Sequence, residues 1–130
     1  MQDFRKLQVW DRAMEITTRI YETTKAFPRC KQFGLTAQLR GASSSIGANI
    51  AEGCGRGSNK DFLRFLHMAI GSAFEVENHI LLAESLKYLE KGQASSMVED
   101  VIELKKMLSS LMRKVKRASN GNKKEGCQPS

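Results

Sequence analysis

A chain of 130 residues with 41% hydrophobic content fits one domain, able to bury roughly two thirds of its unfolded surface without disulfides or metals. Two prolines and 7% aromatic residues favour helices over strands, and the apolar runs are too short to span a membrane. A net charge of +7 fits either an anionic partner or simple solvation, and both readings stay open on charge alone.

Met1 leads into polar residues rather than a secretory signal, so a cytoplasmic location without membrane contact is expected. The first helix is predicted over residues 4–27, with Leu7, Trp10, Met14 and Tyr21 on one stripe and Val9, Ala13, Ile16 and Ile20 on the next. Pro28 ends it, because proline disfavours helix in the residue before it. A second helix over 35–52 carries Leu35, Leu39, Ala42, Ile46 and Ile50. A third over 59–88 spaces Phe62, Leu66, Ala69, Ala73, Val76, Ile80 and Ala83 alternately four and three apart. A fourth over 94–117 repeats that rhythm in Met97, Val101, Leu104, Leu108, Leu111 and Val115. Such spacing aligns one apolar seam per helix, and short connections make neighbours antiparallel. The expected fold is an all-α, antiparallel up-down-up-down four-helix bundle over residues 1–118, followed by a disordered basic tail over 119–130.

The third helix also carries Leu63, Ile70, Phe74, Leu81 and Leu82 beside its main stripe. Surplus apolar surface of this kind favours self-association over a deep, asymmetric core.

The glycine-rich run "SSSIGANIAEGCGRGSNKDFLRF", residues 43–65, invites comparison with a phosphate-binding loop. Gly57 is followed by Ser58 and Asn59 where a Walker loop needs lysine, and Ser58 stands where a dinucleotide fingerprint beginning at Gly53 needs glycine. A joint between helices accounts for the residues instead. Gly53 is expected in a left-handed conformation that closes one helix, and Ser58 to cap the next with Asp61 three residues on.

The same run resembles the signature of the four-helix-bundle family encoded by intervening sequences of bacterial 23S rRNA genes. Gln38, Leu39 and Arg40 open the match, and Ser45, Ile46, Asn49, Ile50, Ala51, Glu52 and Gly53 continue it. Gly55, Arg56, Ser58, Phe62, Arg64, Phe65, Leu66, Gly71 and Ser72 follow in register, and Phe4, Leu7, Val9, Trp10 and Ala13 resemble the family's start. Gly41 stands where a second arginine is common and Cys54 where an aromatic is usual. The resemblance implies a ring-like homopentamer with no established catalytic activity, and an association with ribosomal RNA inferred from gene location. Related proteins serve diversity-generating retroelements, which implies a reverse transcriptase as another partner class.

The residues themselves supply no enzyme chemistry. His67 and His79 both lack the glutamate three positions earlier that a di-iron bundle needs, and Glu75 with His79 reads as a surface pair rather than a metal site. Cys30, Cys54 and Cys127 lack ligand spacing and read as reduced thiols. No cofactor is expected. Asn49 and Glu52, one turn apart, fit either a ligand contact or a structural network with Arg56 or Arg64 tying the second helix to the third.

From residue 65 to 111 acids outnumber bases, so the positive excess lies on either side. Lys60, Arg64 and His67 follow helical spacing, and with Arg40 and Arg56 they form one candidate phosphate-binding corner. Arg113, Lys114, Lys116 and Arg117 form a second group near the C-terminus. The favoured function is a non-enzymatic, oligomeric RNA-associated adapter. The rival is a protein-interaction scaffold, such as an accessory factor of a reverse transcriptase, that binds through apolar stripes.

Overall fold

The computed structural model describes residues 3–127, with residues 31–33 and 121–127 described by their backbone course alone. Among the described residues every regular element is helical. A 3₁₀ turn at Phe4–Lys6 precedes four helices: α1 (Gln8–Thr24), α2 (Ala37–Cys54), α3 (Asn59–Ser85) and α4 (Lys91–Cys127).

The first helix is shorter than its pattern. Leu7 is extended (φ −84°, ψ 128°), so the chain breaks between the 3₁₀ turn and α1. The carboxylate of Asp3 accepts from the backbone N–H of Arg5 and caps the turn, and the neighbouring Arg5 guanidinium holds the Asp3 carboxyl below its usual range. At the other end α1 stops at Thr24, yet Phe27 stays buried and packs on Tyr88 with ring centroids 5.6 Å apart. The apolar pattern ran on because Phe27 belongs to the core without belonging to the helix. A wide turn at Gln32–Thr36, kinked at Gly34, then feeds α2 two residues later than its pattern begins.

Helix α3 ends at Ser85 rather than Tyr88. Lys87 adopts φ 64°, the Tyr88 N–H bonds the Ala83 carbonyl, and the Lys87 N–H bonds that of Glu84. These are the two bonds of a Schellman cap, made here without glycine. Helix α4 begins at Lys91, three residues early, and its backbone runs as helix past Ser119, where the ordered domain was expected to end. Side chains from residue 121, and residues 128–130 altogether, lie outside the described part of that expected tail.

The main predicted stripe of each helix forms the core, but Leu7, Trp10 and Leu111 are only partly buried, and Met14 and Tyr21 of the other α1 stripe are exposed. Phe62, Leu66, Ala69, Ala73, Val76, Ile80 and Ala83 of α3 are all buried, as are Met97, Val101, Leu104, Leu108 and Val115 of α4. They meet Val9, Ala13, Ile16 and Ile20 of α1 and Leu39, Ala42, Ile46 and Ile50 of α2 in one apolar cluster. Helix α2 packs against α1 and α3, and α4 packs against α3 and α1.

Polar contacts fix the registers. Arg12 reaches Asp100 and Glu103 at 3.0 Å, whereas Arg19 reaches Asp100 at 2.7 Å and Ser96 at 3.0 Å. As α1 advances, its contacts on α4 recede. The carboxylates of Glu15, Glu103 and Asp100 hold the Arg12 guanidinium above its ordinary pKa. Ser45 of α2 hydrogen-bonds Ser72 of α3 at 2.7 Å, and Lys105 of α4 pairs with Glu77 of α3 while covering the Phe74 ring. Among the described residues no helix is long and apolar enough to cross a membrane.

Candidate nucleic-acid interface

The first amides of the joint between α2 and α3 are engaged by α2 itself. The Gly55 N–H bonds the Glu52 carbonyl at 3.0 Å and the Arg56 N–H bonds that of Gly53 at 3.2 Å. Ser58 caps α3, its hydroxyl accepting from the Asp61 N–H at 3.2 Å, as the sequence predicts. A phosphate-binding loop presents free amides to its ligand, and these amides face inward to carbonyls.

Gly53 does not adopt the left-handed conformation expected of it. It lies inside α2, and Gly57 (φ 77°) turns the chain instead. A Cβ on Gly53 would lie 2.9 Å from the Phe62 ring and 2.9 Å from the Phe65 Cβ. Glycine is required there for close approach of α2 to α3, not for a backbone torsion.

This close approach sets the basic residues around one ring. The Arg56 guanidinium lies 4.8 Å from the Phe65 centroid and that of Arg64 lies 5.0 Å from it, so one buried aromatic gathers two cations. Arg56 also pairs with Glu52 at 2.8 Å, and Arg64 lies 3.8 Å from Asp61. Lys60 is exposed in the first turn of α3. Both carboxylates are exposed, so the pairs hold the cations in place without burying them.

Next to this corner, α3 and α4 form a groove of about 510 Å³. Leu63, Ile70 and Met112 floor it, and His67, Arg113 and Lys116 stand on its rim. On the opposite flank of α4, Lys114 joins Lys6 and Leu7 around a second hollow of about 350 Å³. Arg117 is exposed on the same stretch of α4. The two basic groups read from sequence thus converge on one end of the bundle.

Arg40 is the exception. It sits in the first turn of α2, and fourteen residues of helix, about 21 Å, separate it from Cys54 at the joint. Its Nε donates to the Thr24 hydroxyl at 2.8 Å, an Nη donates to the Tyr21 carbonyl at 3.3 Å, and its guanidinium stacks 4.9 Å from the Tyr21 ring. Arg40 fastens α2 to α1 and does not belong to the corner with Arg56, Lys60 and Arg64. Lys6 and the Phe65 platform escaped sequence reasoning. Phe65 enters only as a residue of the family signature beside Arg64, with no role attached, and nothing marks Lys6.

Asn49 and Glu52 do not form a joint network. The Asn49 amide donates to the Ser45 carbonyl at 2.9 Å, Glu52 pairs with Arg56, and the polar link from α2 to α3 runs through Ser45 and Ser72. His79 Nε2 lies 4.0 Å from Glu75, and its buried Nδ1 has no hydrogen-bond partner among the described residues. Among the described residues, no three His, Cys, Asp or Glu side chains gather into a metal-binding group.

A four-helix bundle with most of its candidate phosphate ligands at one end defines the class of protein. Residues 5–110 match the 23S rRNA-intervening sequence protein family, and the chain belongs to that family. It is similar in structure to a protein of unknown function from the S23 ribosomal protein family of Bacteroides thetaiotaomicron VPI-5482. Identity is 31% and the TM-score 0.75, over 80% of this chain and 97% of that one. None of the curated proteins matches it.

Proposed function

We propose that this chain is a non-enzymatic, cytoplasmic adapter that self-associates and binds RNA through phosphate contacts at the basic end of the bundle. The observation that carries this reading is the convergence of Arg56, Lys60 and Arg64 with the cations of α4 around one end. Membership of the 23S rRNA-intervening sequence family makes RNA the favoured anion. The register of the α1–α4, α1–α2 and α2–α3 contacts supports an up-down-up-down bundle. Exposed apolar side chains support self-association, with a pentameric ring the form that the family resemblance implies.

Each phosphate contact releases counterions, so the logarithm of affinity for RNA should fall linearly with the logarithm of salt concentration, with a slope of about 0.7–0.9 per contact. Among the described residues nothing at this end is built for base-edge readout, so sequence discrimination should be slight. The test is a salt titration of wild type, of Lys60→Glu with Arg64→Glu, and of Lys114→Glu with Arg117→Glu. Charge reversal is cleaner than truncating α4, because Val115 is buried in the core. Both variants should lose affinity and show a shallower slope. Unchanged affinity and slope in both would overturn the RNA reading.

A protein-interaction scaffold, including an accessory factor of a reverse transcriptase, is the second reading. It is favoured by Phe74, 59% exposed, with Leu81 and Leu82 on the same helix and Leu86 at its C-cap. Binding through such a surface should be insensitive to salt.

A further inference from the structure

Two different faces of this bundle carry apolar side chains that stay partly open to water, and the exposed charges beside them differ in sign. The first is the α3–α4 groove, floored by Leu63, Ile70 and Met112 and rimmed by His67, Arg113 and Lys116. Phe74, largely exposed, extends that floor along α3. The second is the outer side of α1. Met14 is 43% exposed and Tyr21 is 39% exposed. The exposed acids Asp11 and Glu15 share a hollow with Met14, while Glu22 pairs with Lys25 at 3.1 Å and Arg40 rests on Tyr21. Glu15 bonds Arg12 at 2.9 Å, yet its side chain stays two-thirds open to water.

These faces point away from each other. Met14 and Tyr21 lie on the flank of α1 that adjoins α2, where the Arg40 guanidinium stacks on Tyr21, whereas the groove lies between α3 and α4. The spacings also agree. Met14 and Tyr21 are seven residues apart on one helix, as are Leu63 and Ile70, and both intervals span about 10.5 Å.

Resting on the self-association reading above, we infer that α1 of one copy seats in the α3–α4 groove of the next. Met14 and Tyr21 pack on Leu63, Ile70 and Met112, and Asp11 and Glu15 face Arg113 and Lys116 across the rim. A groove-to-groove contact would oppose cations to cations, and an α1-to-α1 contact would oppose acids to acids. The contact is therefore heterologous: every copy offers both faces, and successive copies join head to tail until the rotation closes a ring. His67, Arg113 and Lys116 then serve assembly, which leaves Arg56, Lys60, Arg64, Lys114 and Arg117 to repeat around the assembly as its phosphate-binding surface.

The test uses two charge-reversed proteins, Asp11→Lys with Glu15→Lys and Arg113→Glu with Lys116→Glu, weighed by light scattering coupled to gel filtration. All four side chains are exposed, and circular dichroism checks that each variant keeps its helices. Each variant alone should run at the mass of a single copy, because its two faces now carry like charge. An equimolar mixture should reassemble into alternating mixed species heavier than a single copy, since the groove of each variant then meets an oppositely charged α1. A ring of odd number would keep one like-charged junction, so the readout is mass above a single copy rather than the wild-type mass. Either variant assembling as wild type does, or a mixture that fails to reassemble, overturns this pairing of faces while leaving self-association standing. A wild type that is a single copy at micromolar concentration removes the self-association reading and this inference with it. Should a reversed variant lose its helices, Asp11→Asn with Glu15→Gln and Arg113→Gln with Lys116→Gln replace it. Both should associate more weakly than wild type, and undiminished association in both overturns the pairing.

Discussion

Replacing Gly53 with alanine isolates the contact on which the α2–α3 joint depends. In a helix interior, glycine to alanine is favourable by up to about 1 kcal/mol when space is free. At Gly53 the new methyl would lie 2.9 Å from Phe62 Cδ1 and 2.9 Å from Phe65 Cβ. Carbon atoms sit best about 3.5–4.0 Å apart. The Phe62 ring can swing aside, but the Phe65 Cβ is fixed to the α3 backbone, so the two helices must separate. Overpacking of this kind costs about 1–3 kcal/mol, leaving a net loss of about 1 kcal/mol for Gly53→Ala and more for Gly53→Val. Gly41, exposed on the same helix with nothing within 4 Å of where a methyl would lie, is the control. Gly41→Ala should gain up to about 1 kcal/mol, so the two alanine variants should differ by about 2 kcal/mol and move the melting temperature in opposite directions. Urea and thermal unfolding at one fixed protein concentration would measure this, because association shifts apparent stability. Equal behaviour of the two variants would refute the close-approach argument.

Two further predictions concern local chemistry. Lys87 holds φ 64° at the cap of α3, so Lys87→Gly should raise the melting temperature, by up to about 1 kcal/mol of stability, and a lower melting temperature would contradict the cap. Burial pushes the Cys54 thiol above its usual pKa, whereas Cys30 is exposed, so iodoacetamide near neutral pH should label Cys30 quickly and Cys54 only as the chain opens. Equal labelling rates in the folded protein, read by mass spectrometry, would count against the described packing of α2.

The helices were legible because their apolar positions recur at three and four residues, and every position of the α3 stripe from Phe62 to Ala83 is buried. Helix ends were harder to read. Phe27 is a core residue beyond the end of α1, and half-buried Tyr88 packs on the core beyond the end of α3, so hydrophobicity overran the hydrogen bonding. Gly53 could not be read locally, because glycine suits both a left-handed turn and a tight crossing, and only α3 decides between them. Nor could the sequence place Arg40. Its nearness to the joint along the chain is undone by the length of α2 itself. The approach of Arg113 and Lys116 to His67 is likewise tertiary, joining residues more than forty positions apart.

The seam between α1 and α4 joins residues 77 to 91 positions apart, through Arg12, Arg19, Ser96, Asp100 and Glu103. During synthesis α1, α2 and α3 leave the ribosome before α4 does, so the flank of α1 facing that seam waits uncovered. What it shows to water in that interval includes two hydrated guanidiniums beside its buried stripe. Charged groups at an unfinished edge discourage nascent chains from sticking to one another, where leucines in their place would invite it. The arginine ladder thus protects the unfinished chain before it fastens the finished one.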